Sequence, residues 1–323
     1  MALLRARRSG RPARVRGHRG GLRTPPPSGP GQGSALTAPP SAFSPQGSTH
    51  VAAVIGCPVR HSLSPVLHNA AYRALGLDWV YVAFEVAPGA GRHAIHGMRA
   101  LDIDGLNVTM PHKSDVAGAV DRLTPAAAAL GAVNTVTRGP RRDELVGENT
   151  DGAGFIDALR IDEGFEPAGR RCVVVGAGGA GRAVVRALAE AGAAAVTVVN
   201  RTADRAVAAA ALAGAAGRVG QPGDAADADL IVNATPLGMR GEDGPDLPLD
   251  PAGLGPGQLV VDLVYHPAVT PLVDAARARG AAATNGLGML IHQAAHTIRI
   301  WTGEDPPLEV MSAAALGELA RRG

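Results

Sequence analysis

One lysine stands among thirty arginines in this chain, and its position makes it a candidate for proton transfer. Lys113 closes the segment 105–113, which reads GLNVTMPHK. An arginine guanidinium stays charged at physiological pH, whereas burial and neighbouring charges can tune a lysine ammonium until it exchanges a proton near neutrality. The alternative is that one lysine survived compositional drift, and the residues around Lys113 decide between the two.

Three short polar clusters follow apolar runs in the first half of the chain. They are HSLSP at 61–65, NVTMPHK at 107–113 and ENTDG at 148–152. Ligand sites in open α/β sheets gather beyond the carboxyl ends of strands, so the three clusters together indicate one shared pocket. Taken singly, Ser62, Ser64 and Asp151 also suit helix N-caps, and that role stays open for each of them.

A glycine-rich segment in the second half is typical of a dinucleotide site. The segment 171–181, RCVVVGAGGAG, leads from a predicted strand into a predicted helix. Gly176, Gly178 and Gly181 allow a tight turn and a close approach of the backbone to a pyrophosphate, which the helix N-terminus attracts. The alternative is a purely structural glycine turn.

The end of the next predicted strand favours NADP over NAD. An NAD site expects Asp or Glu about 20 residues beyond the glycines, but Asn200 stands there, followed by RTADR at 201–205. Arg201 and Arg205 are placed to pair with a 2′-phosphate, which charge-assisted bonds hold strongly. Otherwise they are two solvated arginines at a helix start.

Composition limits the partners of the chain. Residues 1–23 hold eight arginines and no acid, so the formal net charge of +2 leaves −6 on the remainder. Nine aromatic residues and a basic excess confined to the tail argue against nucleic acid. The chain has no apolar run of about 18 residues to enter a membrane. With no apolar segment after the basic start, we expect a soluble, cytoplasmic protein.

Cys57 and Cys172 border predicted buried strands and lack metal-ligand spacing. We therefore interpret them as small core residues in a reducing compartment, without a disulfide.

His292 and His296 have one zinc-ligand spacing, but Gln293 stands where a metalloprotease would carry glutamate. We predict no metal site.

Apolar strand-like runs alternate with alanine-rich helical stretches from residue 51 onward, which predicts an α/β fold with largely parallel strands. Residues 1–48 are rich in Arg, Pro, Gly and Ser and are predicted to be a disordered extension. We place a substrate-binding catalytic domain at 49–155, completed by C-terminal helices at 287–320, and a cofactor domain at 156–286. The predicted strands are 51–55, 80–86, 106–108, 132–137, 172–175, 196–200, 230–233 and 259–263, and 155–164 reads as a helix.

Over nearly all of residues 51–320 the chain resembles the shikimate dehydrogenase family. The resemblance implies a two-domain α/β fold with a Rossmann-like NADP-binding domain and a cleft between the domains. It also implies NADPH-dependent, reversible reduction of 3-dehydroshikimate to shikimate in the shikimate pathway of chorismate and aromatic amino-acid biosynthesis. The matching segments are GCPVRHSLSP at 56–65, NVTMPHK at 107–113, GAVNT at 131–135, NTDG at 149–152, GAGGAG at 176–181, NRT at 200–202, NATP at 233–236, DLVY at 262–265 and NGLGML at 285–290 with Gln293.

The resemblance also assigns roles to residues. Lys113 and Asp151 are the expected catalytic pair. The substrate carboxylate would be bound by Ser62, Ser64, Thr109 and Tyr265, and the ring hydroxyls and reacting oxygen would meet Asn134, Lys113, Asp151 and Gln293, with Asn107 also in the substrate site. NADP would be held by Gly176, Ala177, Gly178, Gly179, Ala180 and Gly181, by Asn200, Arg201, Thr202 and Arg205, and by Thr235, Leu263, Gly286 and Met289.

The residues support this chemistry independently. Hydride delivery to a ketone carbon leaves an alkoxide that needs a proton, and Lys113, oriented by Asp151, is the natural donor. Two alternatives stay open: a quinate/shikimate dehydrogenase that uses NAD, and a non-catalytic NADP-binding regulator. A homodimer is open as well, beside the small-molecule substrate.

Overall fold

The computed structural model describes residues 44–141, 143–239 and 247–322. The predicted disordered extension therefore lies outside the described residues, apart from its last few positions. No helix in these three ranges is long and apolar enough to cross a bilayer.

The first sheet is mixed and, within the described ranges, has six strands. They are β1 (His50–Gly56), β2 (Trp79–Glu85), β3 (Gly105–Val108), β4 (Arg122–Leu123), β5 (Thr135–Arg138) and β6 (Leu145–Glu148). Their order across the sheet is β2-β1-β3-β5-β6-β4. Strand β1 pairs in parallel with β2 and β3, whereas β5 runs antiparallel to β3 and β6.

The second sheet is parallel at every pairing of its six described strands. They are β7 (Arg171–Val175), β8 (Ala195–Val199), β9 (Gly217–Val219), β10 (Leu230–Asn233), β11 (Leu259–Asp262) and β12 (Ala282–Asn285). Their order is β12-β11-β10-β7-β8-β9. The chain therefore winds outward from β7 in both directions, and the strand order reverses between β7 and β10. This is the doubly wound order that binds dinucleotides at the reversal point.

Helices cover the two sheets. The α-helices are α1 (Ser64–Ala74), α2 (Gly91–Ala100), α3 (Lys113–Ala117), α4 (Pro125–Leu130), α5 (Asp151–Asp157), α6 (Gly179–Glu190), α7 (Ala203–Ala211), α8 (Pro271–Ala278), α9 (Leu287–Thr302) and α10 (Leu308–Arg322). A π-helical segment, Ala158–Asp162, continues α5, and 3-10 turns lie at Gly214–Ala216, Pro222–Asp227 and Pro251–Gly253.

The end of the chain returns to the first sheet. Ile298 on α9 and Met311 on α10 are fully buried in one apolar cluster with Ala52 of β1 and Tyr81 of β2. Burying side chains of this size contributes roughly 1.5–3 kcal/mol each. We call the first sheet with α9 and α10 the substrate lobe, and the second sheet with its helices the cofactor lobe. The exact boundaries at 155/156 and 286/287 stay a prediction.

The α/β fold class is confirmed, and the structure differs from the expectations in detail. The first sheet is mixed rather than largely parallel. The helix expected at 155–164 begins at Asp151 and ends as the π-helical segment. The strand expected at 132–137 begins at Thr135, because the N–H groups of Val133 and Asn134 bond to the carbonyls of Lys113 and Glu148. Cys57 is not a core residue, since it is half-buried after β1.

Candidate active site

Lys113 and Asp151 are in direct contact. The Lys113 Nζ donates a hydrogen bond to Asp151 Oδ2. Lys113 is the first residue of α3, which follows β3, and Asp151 is the first residue of α5, which follows β6. The two side chains are 17% and 8% exposed, so the pair is largely removed from water while the ammonium keeps an opening.

Asn134 fixes the second oxygen of Asp151. Its Nδ2 donates to Asp151 Oδ1 at 2.8 Å and to Thr150 Oγ1 at 2.9 Å. Its Oδ1 accepts from the Thr150 N–H at 2.9 Å. Both amide hydrogens of Asn134 are therefore used within the protein. In the structure Asn134 orients the Asp151 carboxylate, and its expected contact with the substrate stays a prediction.

Asn107 lies one layer deeper and is also fully engaged. Its Oδ1 accepts from the Tyr81 hydroxyl at 2.7 Å, and its Nδ2 donates to the Asn134 carbonyl at 3.0 Å and to Thr135 Oγ1 at 3.1 Å. The same Nδ2 lies 3.4 Å from Thr297 Oγ1 on α9. Asn107 therefore ties Asn134 and the start of β5 to β2 and to the returning helix. Buried networks with every group satisfied are stiff, which suits a support for the catalytic pair.

The two serines and Thr109 lie at the ends of β1 and β3. Ser62 Oγ accepts from the Ser64 N–H at 3.2 Å, and Ser64 begins α1. Thr109 follows β3, and its N–H donates to the Ile55 carbonyl at 2.9 Å. A Cβ added at Gly56 would lie 2.4 Å from Thr109 Cγ2, so only glycine lets the two strand ends approach.

Gln293 and Tyr265 come from elements far along the chain. A Cβ added at Gly154 on α5 would lie 2.4 Å from the Gln293 N on α9, so the two helices touch backbone to backbone. This contact brings Gln293 to the helix that carries Asp151. Tyr265 lies on the loop after β11, and its hydroxyl is within electrostatic reach of Arg322 on α10.

The glycine turn combines close packing with open space. A Cβ at Gly181 would lie 2.1 Å from the Gly176 carbonyl oxygen, and Gly176 has φ +106°. A Cβ at Gly178 would meet nothing within 4 Å. Gly176 and Gly181 are thus required by the protein itself, and Gly178 leaves room above the N-terminus of α6. The remaining residues of the turn are Ala177, Gly179 and Ala180.

Asn200 and the two arginines lie beside this turn. Asn200 Oδ1 accepts from the Ala177 N–H at 3.1 Å, and its Nδ2 donates to the Thr202 carbonyl at 3.0 Å. Arg201 and Arg205 are exposed at the start of α7, and neither has an acidic partner in the parts of the chain that the structure describes. Two unpaired guanidinium groups beside an open glycine turn suit a phosphate.

The other predicted cofactor residues lie around the ends of β10, β11 and β12. Thr235 Oγ1 donates to Asn233 Oδ1 at 2.6 Å. A Cβ at Gly286 would lie 2.1 Å from the Leu263 carbonyl oxygen, so the start of α9 is pressed onto the end of β11. Met289 packs on the apolar cluster of the cofactor lobe. These residues line the sheet edge at which the strand order reverses.

A cleft of about 360 Å³ lies between Lys113 and the glycine turn. Lys113 and Met110 line it from the substrate lobe, and Gly178, Gly179 and Arg205 line it from the cofactor lobe. A Cβ added at Gly179 would lie 3.5 Å from Lys113 Cδ, so the lysine stem lies against the glycine turn. The open space at Gly178 and the unpaired arginines fit a phosphorylated dinucleotide in this cleft.

Two residues that sequence reasoning missed stabilise this arrangement. Arg182, on α6, donates across the cleft to the Leu130 carbonyl at the end of α4. Asp262, fully buried at the end of β11, accepts from Asn233 Nδ2 at 2.8 Å and from Thr270 Oγ1 at 2.6 Å. Burial raises the pKa of Asp262, and these hydrogen bonds oppose that shift. Asp262 lies within DLVY, one of the segments that resemble the family. Arg182 leaves no signal in the sequence, because it bonds a backbone carbonyl.

The histidines with zinc-ligand spacing face separate carboxylates. His292 Nε2 lies 3.2 Å from Asp162 Oδ1, and His296 Nε2 lies 2.7 Å from Asp157 Oδ2. The first pair joins α9 to the π-helical segment, and the second joins α9 to the last residue of α5. In this arrangement the two imidazoles connect helices.

A lysine–aspartate pair placed against a dinucleotide-type glycine turn is an arrangement that suits a nicotinamide-dependent oxidoreductase. Comparison with known families gives three matches along the chain. Residues 54–136 match the shikimate dehydrogenase substrate binding domain, 161–235 match shikimate / quinate 5-dehydrogenase, and 286–316 match the shikimate 5'-dehydrogenase C-terminal domain. The chain belongs to the shikimate dehydrogenase family.

Individual relatives agree over most of the chain. A shikimate dehydrogenase (NADP(+)) of Geobacter metallireducens is 45% identical over 286 residues, which are 85% of this chain and 99% of the relative. A crystal structure of a shikimate dehydrogenase in complex with NADP+ has a TM-score of 0.81 at 37% identity, and covers 87% of this chain and 99% of its own. The Thermus thermophilus enzyme in complex with NADP(H) and shikimate has a TM-score of 0.77 at 39% identity, covering 83% and 99%.

Proposed function

We propose that this chain catalyses the reversible, NADP-dependent reduction of 3-dehydroshikimate to shikimate, with Lys113 and Asp151 as the acid–base pair. The observation that carries the proposal is the contact of the Lys113–Asp151 pair with the glycine turn, with the Lys113 stem 3.5 Å from the Cβ position of Gly179. Bound NADPH supplies the hydride. The reaction belongs to the pathway that leads to chorismate and the aromatic amino acids.

Lys113 Nζ donates the proton that the substrate oxygen takes up as its carbon becomes tetrahedral. Asp151 Oδ2 holds the ammonium in place, and Asn134 holds Asp151 through Oδ1. In the reverse direction the neutral amine accepts the proton from the hydroxyl. The limited exposure of the pair restricts proton exchange with bulk water during the reaction.

The substrate carboxylate lies in this proposal among the hydroxyls of Ser62, Ser64, Thr109 and Tyr265. Three of them belong to the substrate lobe and Tyr265 to the cofactor lobe, so binding closes the two lobes on the substrate. Gln293 on α9 meets the ring hydroxyls. Asn134 also meets the ring hydroxyls in this proposal, and Asn107 lies in the same substrate site; the amides of both residues additionally hold neighbouring protein groups in place. Hydroxyl and amide partners reject ligands that leave them unpaired.

The cofactor 2′-phosphate lies in this proposal between Arg201 and Arg205, with Asn200 and Thr202 shaping the turn. The pyrophosphate lies above Gly178 at the N-terminus of α6, where the helix dipole favours negative charge. Leu263, Gly286 and Met289 border the nicotinamide end, and Thr235 supports it. The unpaired guanidinium groups favour NADP over NAD.

The proposal extends to organisation and location. The substrate domain covers 49–155 with 287–320, and the cofactor domain covers 156–286. The free thiols of Cys57 and Cys172 suit a reducing cytoplasm. Size-exclusion chromatography with light scattering tests a homodimer against a monomer.

A spectrophotometric assay of the purified chain tests the proposal. We expect shikimate oxidation with NADP to exceed, in kcat/KM, both shikimate oxidation with NAD and quinate oxidation with either cofactor. Higher kcat/KM on quinate with NAD would identify the chain as the quinate-type enzyme. Binding of NADP without turnover of either substrate would identify a non-catalytic regulator.

A further inference from the structure

We propose that Arg322, in the last turn of α10, is a specificity-determining residue for the carboxylate of the substrate. It fixes the loop that carries Ser62 and supplies a positive charge at the end of the pocket where the ring carboxylate lies. The inference rests on the proposed function, because it concerns the same pocket.

The contacts of Arg322 place its guanidinium at this loop. Its Nη1 donates to the His61 carbonyl at 2.6 Å, and its Nε donates to Glu318 Oε1 at 2.7 Å. The side chain is 30% exposed, compared with 74% for the neighbouring Arg321. Arg322 therefore lies against the substrate lobe at the residue that precedes Ser62, whereas Arg321 extends into solvent.

The positive charge of Arg322 also acts on Tyr265, which belongs to the cofactor lobe. Burial raises the pKa of the Tyr265 hydroxyl, and the positive charge of Arg322 opposes that shift. Tyr265 and Ser62 are the two sides of the proposed carboxylate pocket. Arg322 thus bonds the residue next to Ser62 and acts on Tyr265 through its charge, although it is 57 residues from Tyr265 and 260 from Ser62 in sequence.

The pocket needs a charge that its other residues do not provide. Ser62, Ser64, Thr109 and Tyr265 are all neutral, and Lys113 is paired with Asp151. Glu318 bonds both Arg321 and Arg322, but only the Arg322 guanidinium also bonds the loop that carries Ser62, so Arg322 is the arginine whose charge lies at this end of the pocket. A carboxylate that leaves water for neutral hydroxyls is stabilised by a nearby cation, and a guanidinium at this distance keeps its charge at any physiological pH.

Arg322→Gln tests the inference, with Arg321→Gln as the matched control, since both arginines bond Glu318. For Arg322→Gln we expect the KM for shikimate to rise roughly three- to ten-fold, the size of a partly screened charge interaction. We expect kcat and the KM for NADP to stay within about two-fold. Arg321→Gln should leave all three unchanged. Arg322→Lys keeps the charge and should recover most of the shikimate KM.

A neutral ligand separates a charge effect from a general loosening of the loop. The methyl ester of shikimate, used as a competitive inhibitor, should have the same inhibition constant with wild-type protein and Arg322→Gln. The rise in the KM for shikimate that Arg322→Gln causes should become smaller as salt is raised from about 0.01 M to 1 M, because screening removes the contribution of the charge. An equal loss of affinity for shikimate and for its methyl ester in Arg322→Gln overturns the inference. An unchanged KM for shikimate in this variant overturns it as well. Absence of shikimate turnover in the wild-type protein would instead overturn the proposed function.

Discussion

Lys113 combines a charge with a removable proton, and the structure provides a way to separate the two contributions. Its Nζ bonds Asp151, so a positive charge at this position also balances the carboxylate. A guanidinium can replace that charge but cannot give up a proton at physiological pH. Substituting lysine by arginine and by alanine therefore distinguishes proton transfer from simple neutralisation of Asp151.

We expect Lys113→Ala to lower kcat roughly 10²- to 10⁴-fold with a much smaller change in the KM for shikimate, the usual effect of losing a positioned acid or base. The kcat of Lys113→Arg should be lowered to a similar degree. Steady-state kinetics in both directions, with circular dichroism to confirm the fold, measures this. Near-normal turnover of Lys113→Arg would mean that only the charge matters, and near-normal turnover of Lys113→Ala would remove the residue from the mechanism.

Residue types brought Lys113 and Asp151 together as a candidate pair, and the structure shows the two side chains in contact, but the sequence could not predict which neighbouring residues hold the pair in place. Asn107 stands in the same polar cluster as Lys113, and Asn134 lies in the segment GAVNT at 131–135; nothing in their type separates them from ligand-binding residues. Only the folded structure shows that their amides are used by Tyr81, Thr150 and Asp151. Arg182 and Arg322 were beyond prediction for another reason, since each bonds a backbone carbonyl far away in sequence.

At the scale of elements, different glycines of the turn between β7 and α6 serve packing and binding. Gly181 is in contact with the Gly176 carbonyl, so its missing side chain is a requirement of the fold. Gly178 has φ −76° and open space around its Cβ position, so its missing side chain is not required by the fold. The space at Gly178 is where we place the pyrophosphate.

We expect Gly181→Ala to destabilise the protein by about 1–3 kcal/mol, because its Cβ would overlap backbone that cannot move freely. Gly178→Ala should keep the thermal midpoint of the ligand-free protein and weaken NADP at least about ten-fold, through steric exclusion of the phosphates. Differential scanning fluorimetry and titration with NADP measure the two effects. Unchanged NADP affinity in Gly178→Ala would place the pyrophosphate elsewhere.

Long apolar strands and the glycine turn were predictable because each carries a local pattern. The buried strands β1, β7 and β10 match their predicted positions to within about one residue. No comparable pattern marks β4 or β9, which are two and three residues long and mostly exposed. Helix α5 begins at Asp151, earlier than periodicity indicated, because a tertiary bond from Asn134 to the Asp151 carboxylate and a local bond from the Asp151 N–H to Asn149 Oδ1 fix its first residue.

At the scale of the whole molecule, the substrate lobe is held together by an aromatic cluster that contains a buried histidine. His68 on α1 is fully buried and stacks on Tyr81 with ring centroids 4.0 Å apart. Its Nδ1 bonds the Ser64 carbonyl at 2.9 Å, and its Nε2 has no partner among the residues that the structure describes. Protonation of Nε2 would bury an unpaired charge, and burial accordingly lowers the pKa of His68 to about 4.

This histidine makes folding stability depend on pH in a definite direction. The pKa of His68 lies below its ordinary value of 6.5 in the folded state. Its contribution is therefore fully present above pH 6.5 and is lost as the pH falls towards 4. Between pH 7 and pH 5 we expect the free energy of unfolding to drop by about 2 kcal/mol through this group alone.

His68→Phe keeps a ring stacked on Tyr81 and removes the titratable imidazole. The free energy of unfolding of this variant should therefore fall less between pH 7 and pH 5 than that of the wild type. Urea unfolding at each pH, followed by tryptophan fluorescence, measures the difference. The exposed His93 provides the control, because His93→Gln should keep the wild-type dependence on pH. If His68→Phe lost as much stability on acidification as the wild type, the acid sensitivity of the substrate lobe would have to come from groups other than this buried imidazole.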